Sequence, residues 1–148
     1  KGLVKELGLT RSVLFVGKVD QEEKVELYSS HWAAIQPSSF EGWGLTVIEA
    51  NACGTPVIAS NVQGLRDSVL HEKTGLLVQP NNVLSFASAM ERMIKYAGER
   101  KAWSRSALAW SKNFNWDQSA QNLYRIIQHD LSQAKQSAFS IIFARRSA

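Results

Sequence analysis

The sequence predicts an α/β fold in which a parallel sheet is flanked by helices and followed by an all-helical segment. Four short apolar, β-branched runs are candidate strands, and none alternates cleanly between apolar and polar residues, which is typical of parallel strands covered on both faces. Helical segments separate these runs, and this order with short connections indicates right-handed βαβ units. The candidate strands are Val13–Gly17, Ala33–Pro37, Pro56–Ser60 and Gly75–Val78.

Two helices between these strands have recognisable ends. Asp20 is an N-cap candidate for a helix over Asp20–Ser30, and Glu23 three residues later fits a capping box. A second helix is predicted over Leu45–Cys53, because Gly54 supplies a C-terminal stop signal and a proline follows. Residues 2–10 resemble the end of a helix whose preceding strand is missing. Since four strands are fewer than the five or six of an average sheet, we expect that the front of the domain has been cut away.

After Val78 the pattern is helical throughout. Helices are predicted over Asn82–Tyr96, Arg100–Lys112 and Trp116 to about Leu131, with Asn115 as the N-cap of the last. Apolar residues at helical spacing mark the first and third of these helices, and those of the third are expected to face inward. They are Leu84, Ala87, Met90 and Ile94, then Ala120, Leu123, Ile126 and Ile127. The end, 133–148, pairs an apolar patch with two arginines, so a frayed or helical terminus is expected, with a membrane or partner contact as the alternative.

The composition argues against several classes of function. The chain has 148 residues, 45% of them hydrophobic and 20% charged, as in an ordinary globular domain. Its net charge of +4 comes largely from the last residues, which leaves a nearly neutral body and argues against a nucleic-acid binder. The single cysteine, Cys53, excludes an internal disulfide framework and suits a reducing compartment, so a cytoplasmic location is expected. The three histidines are too far apart to show metal-ligand spacing, and no apolar run is long enough to span a bilayer.

The segment from Pro37 to Ser60 carries the strongest functional signal. A strand ends at Pro37, a glycine-rich loop follows, and a helix starts near Gly44, which is where α/β proteins place ligands. Gly42 and Gly44 allow a close backbone approach, and the free N–H groups at the start of the helix favour an anion such as a phosphate. The alternative is a tight turn in which the glycines serve the backbone geometry alone.

Glu41 and Glu49 lie on either side of this loop. A carboxylate would repel a phosphate, but it accepts two hydroxyl donors and therefore suits a vicinal diol. Two such carboxylates beside an anion site fit a ligand with a sugar on each side of a diphosphate, which is the layout of a nucleotide sugar. The alternative is that both glutamates are simply solvated.

The phrase EGWGLTVIEA, preceded by PSS and followed by NACGTPVIAS, resembles the donor-binding motif of glycosyltransferase family 4, the retaining enzymes of GT-B fold. The phrases VLFVGKV, ELYSS, NVQGLRDSV, HEKTGLLVQP and FNWDQSAQNLY match in order, so the resemblance covers about Val13 to Leu131. It implies a Rossmann-like parallel sheet with flanking helices, the C-terminal half of a GT-B fold. We therefore expect residues 1–131 to be an N-terminally truncated donor-binding domain and residues 132–148 to be a C-terminal tail.

The resemblance also implies roles for individual residues. Glu41 would contact hydroxyls of the transferred sugar and is the candidate catalytic residue, and Glu49 would hold the ribose diol of the nucleotide. The other donor-binding candidates are Ser38, Gly42, Trp43, Gly44, Leu45, Thr46 and Gly17. No nucleophile, metal or cofactor is assigned, and the arginine and lysine that neutralise the diphosphate in the family lie upstream of this segment.

The implied activity is transfer of a sugar, with retention, from a nucleoside-diphosphate sugar to an acceptor hydroxyl. A glycan or a lipid-linked sugar would be the acceptor, bound by the missing N-terminal domain, and contact with the inner face of the cytoplasmic membrane would be peripheral. The alternatives are a nucleotide-sugar binding module with no activity of its own and another GT-B enzyme such as an epimerase.

Several remaining residues are interpreted as structural. His31 and Trp32 are expected to pack, Lys18 to be solvated, Asp67 to cap or orient a loop, and Cys53 to be a small buried residue. Three tryptophans are expected to anchor the core: Trp103, Trp110 and Trp116.

Overall fold

The computed structural model describes the backbone of residues 1–144 and the side chains of residues 1–133. After the first helix, helices and strands alternate as far as the third strand, and three helices follow it. In chain order the elements are α1 Gly2–Glu6, α2 Gln21–Ser30, β1 Ala34–Gln36, α3 Leu45–Ala52, β2 Val57–Ser60, α4 Gln63–Ser68, β3 Gly75–Val78, α5 Val83–Lys95, α6 Ala97–Ser111 and α7 Trp116–Ala144.

The predicted α/β class and the parallel sheet are confirmed. The three strands are parallel in the order β1-β2-β3, with Ile35 opposite Ile58 and Ile58 opposite Leu76. The central strand β2 is buried along its whole length, as its continuous apolar run predicts.

The predicted strand at Val13–Gly17 is wrong, because these residues form no strand. Leu14 and Val16 line a groove of about 520 Å³ together with residues of β1 such as Ile35. A β-branched run becomes a strand only when a second backbone satisfies its N–H and C=O groups. Within residues 1–144 no such ladder forms here, so the side chains stay largely exposed, Leu14 to 84%.

The core has two halves, one on each face of the sheet. Val57 and Ala59 of β2 pack on one face against Val47, Ala50, Leu65 and Val69 from α3, α4 and the turn after it. Ile58 points to the opposite face. There it packs with residues from β3, α5 and α6, namely Leu76, Ala89, Met93 and Trp103. This two-faced burial holds the carboxyl ends of the strands in place, where the glycine-rich loop begins.

The predicted helix caps are confirmed. Asp20 Oδ1 accepts from the backbone N–H of Glu23 at 2.9 Å, and Asn115 Oδ1 accepts from that of Gln118 at 2.7 Å. Both caps satisfy a donor that has no partner within its own helix.

The apolar stripe proposed for α5 is not the buried one. Leu84, Met90 and Ile94 are exposed, and the helix packs through Phe86, Ala89 and Met93 instead. Because both stripes have helical spacing, the sequence alone does not distinguish them. The sheet selects the second stripe by its position relative to β3.

The inward face expected for α7 is also wrong. Every residue from Trp116 to Gln133 is exposed, including Leu123 and Ile126. Trp116, expected in the core, is 87% exposed, whereas Trp103 is buried as predicted and Trp110 is half-buried. An apolar stripe is buried only where another element covers it, and none of the described residues covers α7.

Helix α7 continues past residue 131 to Ala144 without a break. The boundary between a domain and a tail at 131/132 stays a prediction. The proposed membrane contact rests on side chains of 134–148, which lie outside the described residues. Within the described part of the chain, no helix combines the length and the apolarity needed to cross a membrane.

Candidate functional site

The glycine-rich loop connects the carboxyl end of β1 to the first residue of α3. Gly44 caps α3 with a left-handed backbone, φ +83° and ψ +53°. It is buried, and a Cβ on it would lie 2.8 Å from Ser68 Oγ and 2.9 Å from Leu65 Cδ2. Backbone conformation and space both require glycine here. The predicted helix start at this loop is therefore confirmed.

The amino end of α3 is open to solvent. Leu45 is 67% exposed and Thr46 is also exposed, whereas Val47 in the same turn is buried. The first N–H groups of a helix have no acceptor within it, and Gly44 offers no side chain to cap them. These donors, together with the positive end of the helix dipole, form a suitable place for an anion.

Gln36, the last residue of β1, connects two predicted site residues. Its Nε2 donates to Ser38 Oγ at 2.9 Å and to Glu41 Oε2 at 3.4 Å. Glu41 is half-buried on this loop, and the hydrogen bond from Gln36 orients its Oε2. Sequence reasoning missed Gln36. Its place at the carboxyl end of a parallel strand is the signal that identifies it.

Gly64 of α4 packs against the backbone of the same loop. Sequence reasoning did not identify it as a site residue. A Cβ at Gly64 would lie 2.3 Å from the backbone oxygen of Glu41 and 2.5 Å from the carbonyl carbon of Gly42. Helix α4, only six residues long, therefore packs backbone to backbone against the loop. Asp67, expected to cap or orient a loop, lies instead on the exposed side of α4.

Glu49 lies one helical turn beyond Thr46 and is partly exposed. Its Oε1 accepts from Lys24 Nζ of α2 at 2.8 Å. This hydrogen bond and the carboxylate charge raise the pKa of Lys24 above its usual value. The structure thus places Glu41 in the loop before α3 and Glu49 in the second turn of that helix.

An aromatic cluster holds the other side of the loop. The Trp43 ring meets Phe114 edge to face with centroids 4.8 Å apart, and Phe114 meets Trp110 in the same way at 4.9 Å. Trp110 Nε1 donates to the backbone oxygen of Ser68 at 3.0 Å, which ties the cluster to the end of α4. The side chain of Trp43 is therefore a packing group, and its role in donor binding stays a prediction.

The other predicted residues form no hydrogen bond with Glu41 or Glu49, although Val16 and His31 line the same groove as Gln36 and Thr46. Gly17 has a left-handed backbone, φ +74°, and is exposed together with Lys18. Cys53 is half-buried at the far end of α3. His31 is exposed, and Trp32 is covered only on one face, where the Arg100 guanidinium lies 4.2 Å from its ring centre. Among the described residues, no three His, Cys, Asp or Glu side chains gather as metal ligands.

Comparison with known proteins gives a consistent result. The family model described as "Glycosyl transferases group 1" matches residues 1–110. The D-inositol 3-phosphate glycosyltransferase of Acidothermus cellulolyticus is 30% identical over 145 residues, which are 98% of this chain and 32% of that protein. This chain thus spans about a third of the length of the curated relatives that it matches.

Solved structures share the fold. Sucrose-phosphate synthase from Thermosynechococcus elongatus superposes with a TM-score of 0.81 and 36% identity, over 89% of this chain and 33% of that one. Anabaena HepE, crystallised in complex with UDP and glucose, gives a TM-score of 0.79 at 23% identity, over 86% of this chain and 35% of that one. The expected C-terminal half of a GT-B fold agrees with these superpositions.

Proposed function

Since the chain belongs to the glycosyl transferases group 1 family, we propose that it forms the donor-binding half of a retaining glycosyltransferase. The whole protein would move a sugar from a nucleoside-diphosphate sugar to a hydroxyl of a glycan or a lipid-linked acceptor. The acceptor would bind to the part of the whole protein that corresponds to the relatives' sequence outside this match.

The observation that carries this proposal is the open amino end of α3 between two carboxylates. The backbone N–H groups of Gly44, Leu45 and Thr46 have no hydrogen-bond partner among the described residues. Glu41 precedes them in the loop, and Glu49 follows them in α3. An anion alone would require neither glutamate, and a sugar alone would not require the helix end. A diphosphate with a sugar on one side and a ribose on the other uses all of these groups.

In this arrangement each group has a separate task. The helix end binds the diphosphate and stabilises the negative charge that grows on it as the sugar leaves. Glu41, oriented by the hydrogen bond from Gln36, accepts hydrogen bonds from hydroxyls of the sugar. It also faces the positive charge that develops at the anomeric carbon. Glu49 accepts hydrogen bonds from the two ribose hydroxyls. The bond from the anomeric carbon to the diphosphate oxygen breaks, a bond from that carbon to the acceptor oxygen forms, and the proton of the acceptor hydroxyl leaves with the nucleoside diphosphate.

For the isolated chain we propose donor binding without transfer. This more limited activity is favoured because the chain spans only 32% of the length of the Acidothermus cellulolyticus relative. Detectable transfer by the 148 residues alone would contradict it.

Calorimetric titration with UDP, GDP and ADP tests the proposed site. UDP is included because a structure of the same fold holds it. We expect saturable binding of one diphosphate, weakened roughly 10- to 100-fold in Glu49→Gln, because hydrogen bonds to a charged acceptor are among the stronger ones. Glu41→Gln should leave the diphosphate affinity unchanged and remove only the additional affinity of the corresponding nucleotide sugar.

Glu91→Gln is the matched control, since Glu91 is also an exposed helical glutamate paired with a lysine, 2.6 Å from Lys95 on α5. It should bind nucleotide as the wild-type chain does. A folded wild-type chain that binds none of the three diphosphates, or a Glu49→Gln chain with wild-type affinity, would contradict the proposal.

A further inference from the structure

Lys24 contacts the proposed ribose-binding carboxylate from a neighbouring helix. Its Nζ donates to Glu49 Oε1 at 2.8 Å, which joins α2 to α3 across 25 positions of sequence. The side chains of Lys24 and Glu49 are 30% and 41% exposed, so a ligand can reach the carboxylate while the pair remains intact.

Helix α2 is itself fixed against α3. Thr55 Oγ1, just after α3, donates to the backbone oxygen of Tyr28 at 2.6 Å, and the Tyr28 ring packs against the core half that contains Val47 and Ala50. Tyr28 is one helical turn from Lys24, so both lie on the face of α2 that meets α3. The backbone of Lys24 is therefore fixed relative to α3, and the hydrogen bond to Glu49 places its ammonium group.

A pair this exposed contributes little to folding stability. Its consequence is the orientation of the carboxylate. An ionised carboxylate has about four acceptor positions, and Lys24 uses one of them on Oε1. Oε2 has no hydrogen-bond partner among the described residues. Enough acceptor capacity remains for two adjacent hydroxyl groups, one on each oxygen.

We propose that Lys24 is a positioning residue for ribose recognition, holding Glu49 in the one orientation that accepts a vicinal diol. This inference rests on the proposed role of Glu49. Prearranging a side chain removes the entropy that its ordering would cost on binding, and the gain applies only to ligands that carry the diol. Lys24 thus sets the preference for ribose over sugars that lack the two hydroxyls.

The test compares UDP, GDP and ADP with their 2′,3′-dideoxy analogues by calorimetry, in the wild-type chain and in Lys24→Met, Lys24→Arg and Glu49→Gln. The readout is the dissociation constant of each dideoxy analogue divided by that of its parent diphosphate. We expect Lys24→Met to lower this ratio roughly twofold to tenfold while the affinity for the dideoxy analogue stays constant. Lys24→Arg should keep the wild-type ratio, because a guanidinium also donates to the carboxylate.

Lys95→Met is the control, since it breaks the similar Lys95–Glu91 pair on α5 and should leave the ratio unchanged. A Lys24→Met chain with the wild-type ratio, or one that binds the parent diphosphate more tightly, would overturn the inference while leaving the role of Glu49 intact. If Glu49→Gln itself fails to lower the ratio, the proposed role of Glu49 fails, and the inference about Lys24 fails with it.

Discussion

Replacing Gly64 with alanine is expected to disable the proposed donor site while leaving the sheet folded. The new Cβ would lie 2.3 Å from the backbone oxygen of Glu41, and no side-chain rotation relieves a contact with backbone. The peptide between Glu41 and Gly42 must move by roughly 1 Å to reach an ordinary non-bonded distance. Since a misplacement of this size in a site costs on the order of 100-fold, we expect a comparable loss of affinity for the nucleotide sugar.

Calorimetry measures this loss, and circular dichroism establishes that the variant is folded. Gly98→Ala is the control, because Gly98 lies in α6 and a Cβ there meets no atom within 4 Å. A folded Gly64→Ala chain that binds the nucleotide sugar with wild-type affinity would show that the packing of α4 does not position the loop.

Gly44→Ala is expected to lower the stability of the domain. A left-handed backbone costs a non-glycine residue about 1–2 kcal/mol, and forcing a methyl group against buried Ser68 and Leu65 costs about 1–3 kcal/mol more. Together these terms lower the free energy of unfolding by roughly 2–5 kcal/mol, which corresponds to a fall in Tm on the order of 10 °C.

Thermal unfolding followed by circular dichroism measures this change. Gly98→Ala should not lower the Tm, because Gly98 lies in the first turn of α6 and a methyl group there meets no atom within 4 Å. An unchanged Tm in Gly44→Ala would mean that the start of α3 tolerates an ordinary helical backbone, and the account of the loop would then be wrong.

Local chemistry made part of this structure predictable. The start of α3 at Gly44 and the caps at Asp20 and Asn115 follow from residues within a few positions of each other, and all three are confirmed. The parallel sheet was predictable because a strand buried on both faces, such as Val57–Ser60, reads as a continuous apolar run.

What could not be predicted depends on partners that are distant in sequence. The Val13–Gly17 run has strand composition but no backbone partner in the described residues, so composition alone misled. The same holds for Trp116 and the apolar stripe of α7, which nothing in the described chain covers. Helix α4 escaped notice because it is short and contains Gly64.

The residues that support the site show the same limit. Glu41 and Glu49 carry chemistry that a sequence pattern can indicate, whereas Lys24 and Gly64 matter through contacts with residues more than twenty positions away. Gln36 lies only five positions from Glu41, but its role depends on where the strand ends. These supporting contacts are visible only once the elements are packed.

Mapping backbone amide chemical shifts during titration with the diphosphate that binds, UDP, GDP or ADP, and with its nucleoside as the comparison, tests the central claim most directly. The account predicts that the diphosphate shifts the amides of Gly44, Leu45 and Thr46 more than any others, and that the nucleoside, which lacks the diphosphate, leaves them nearly unchanged. If the largest diphosphate-dependent shifts occur elsewhere, for example along the groove between His71 and Arg92, the amino end of α3 is not the diphosphate site.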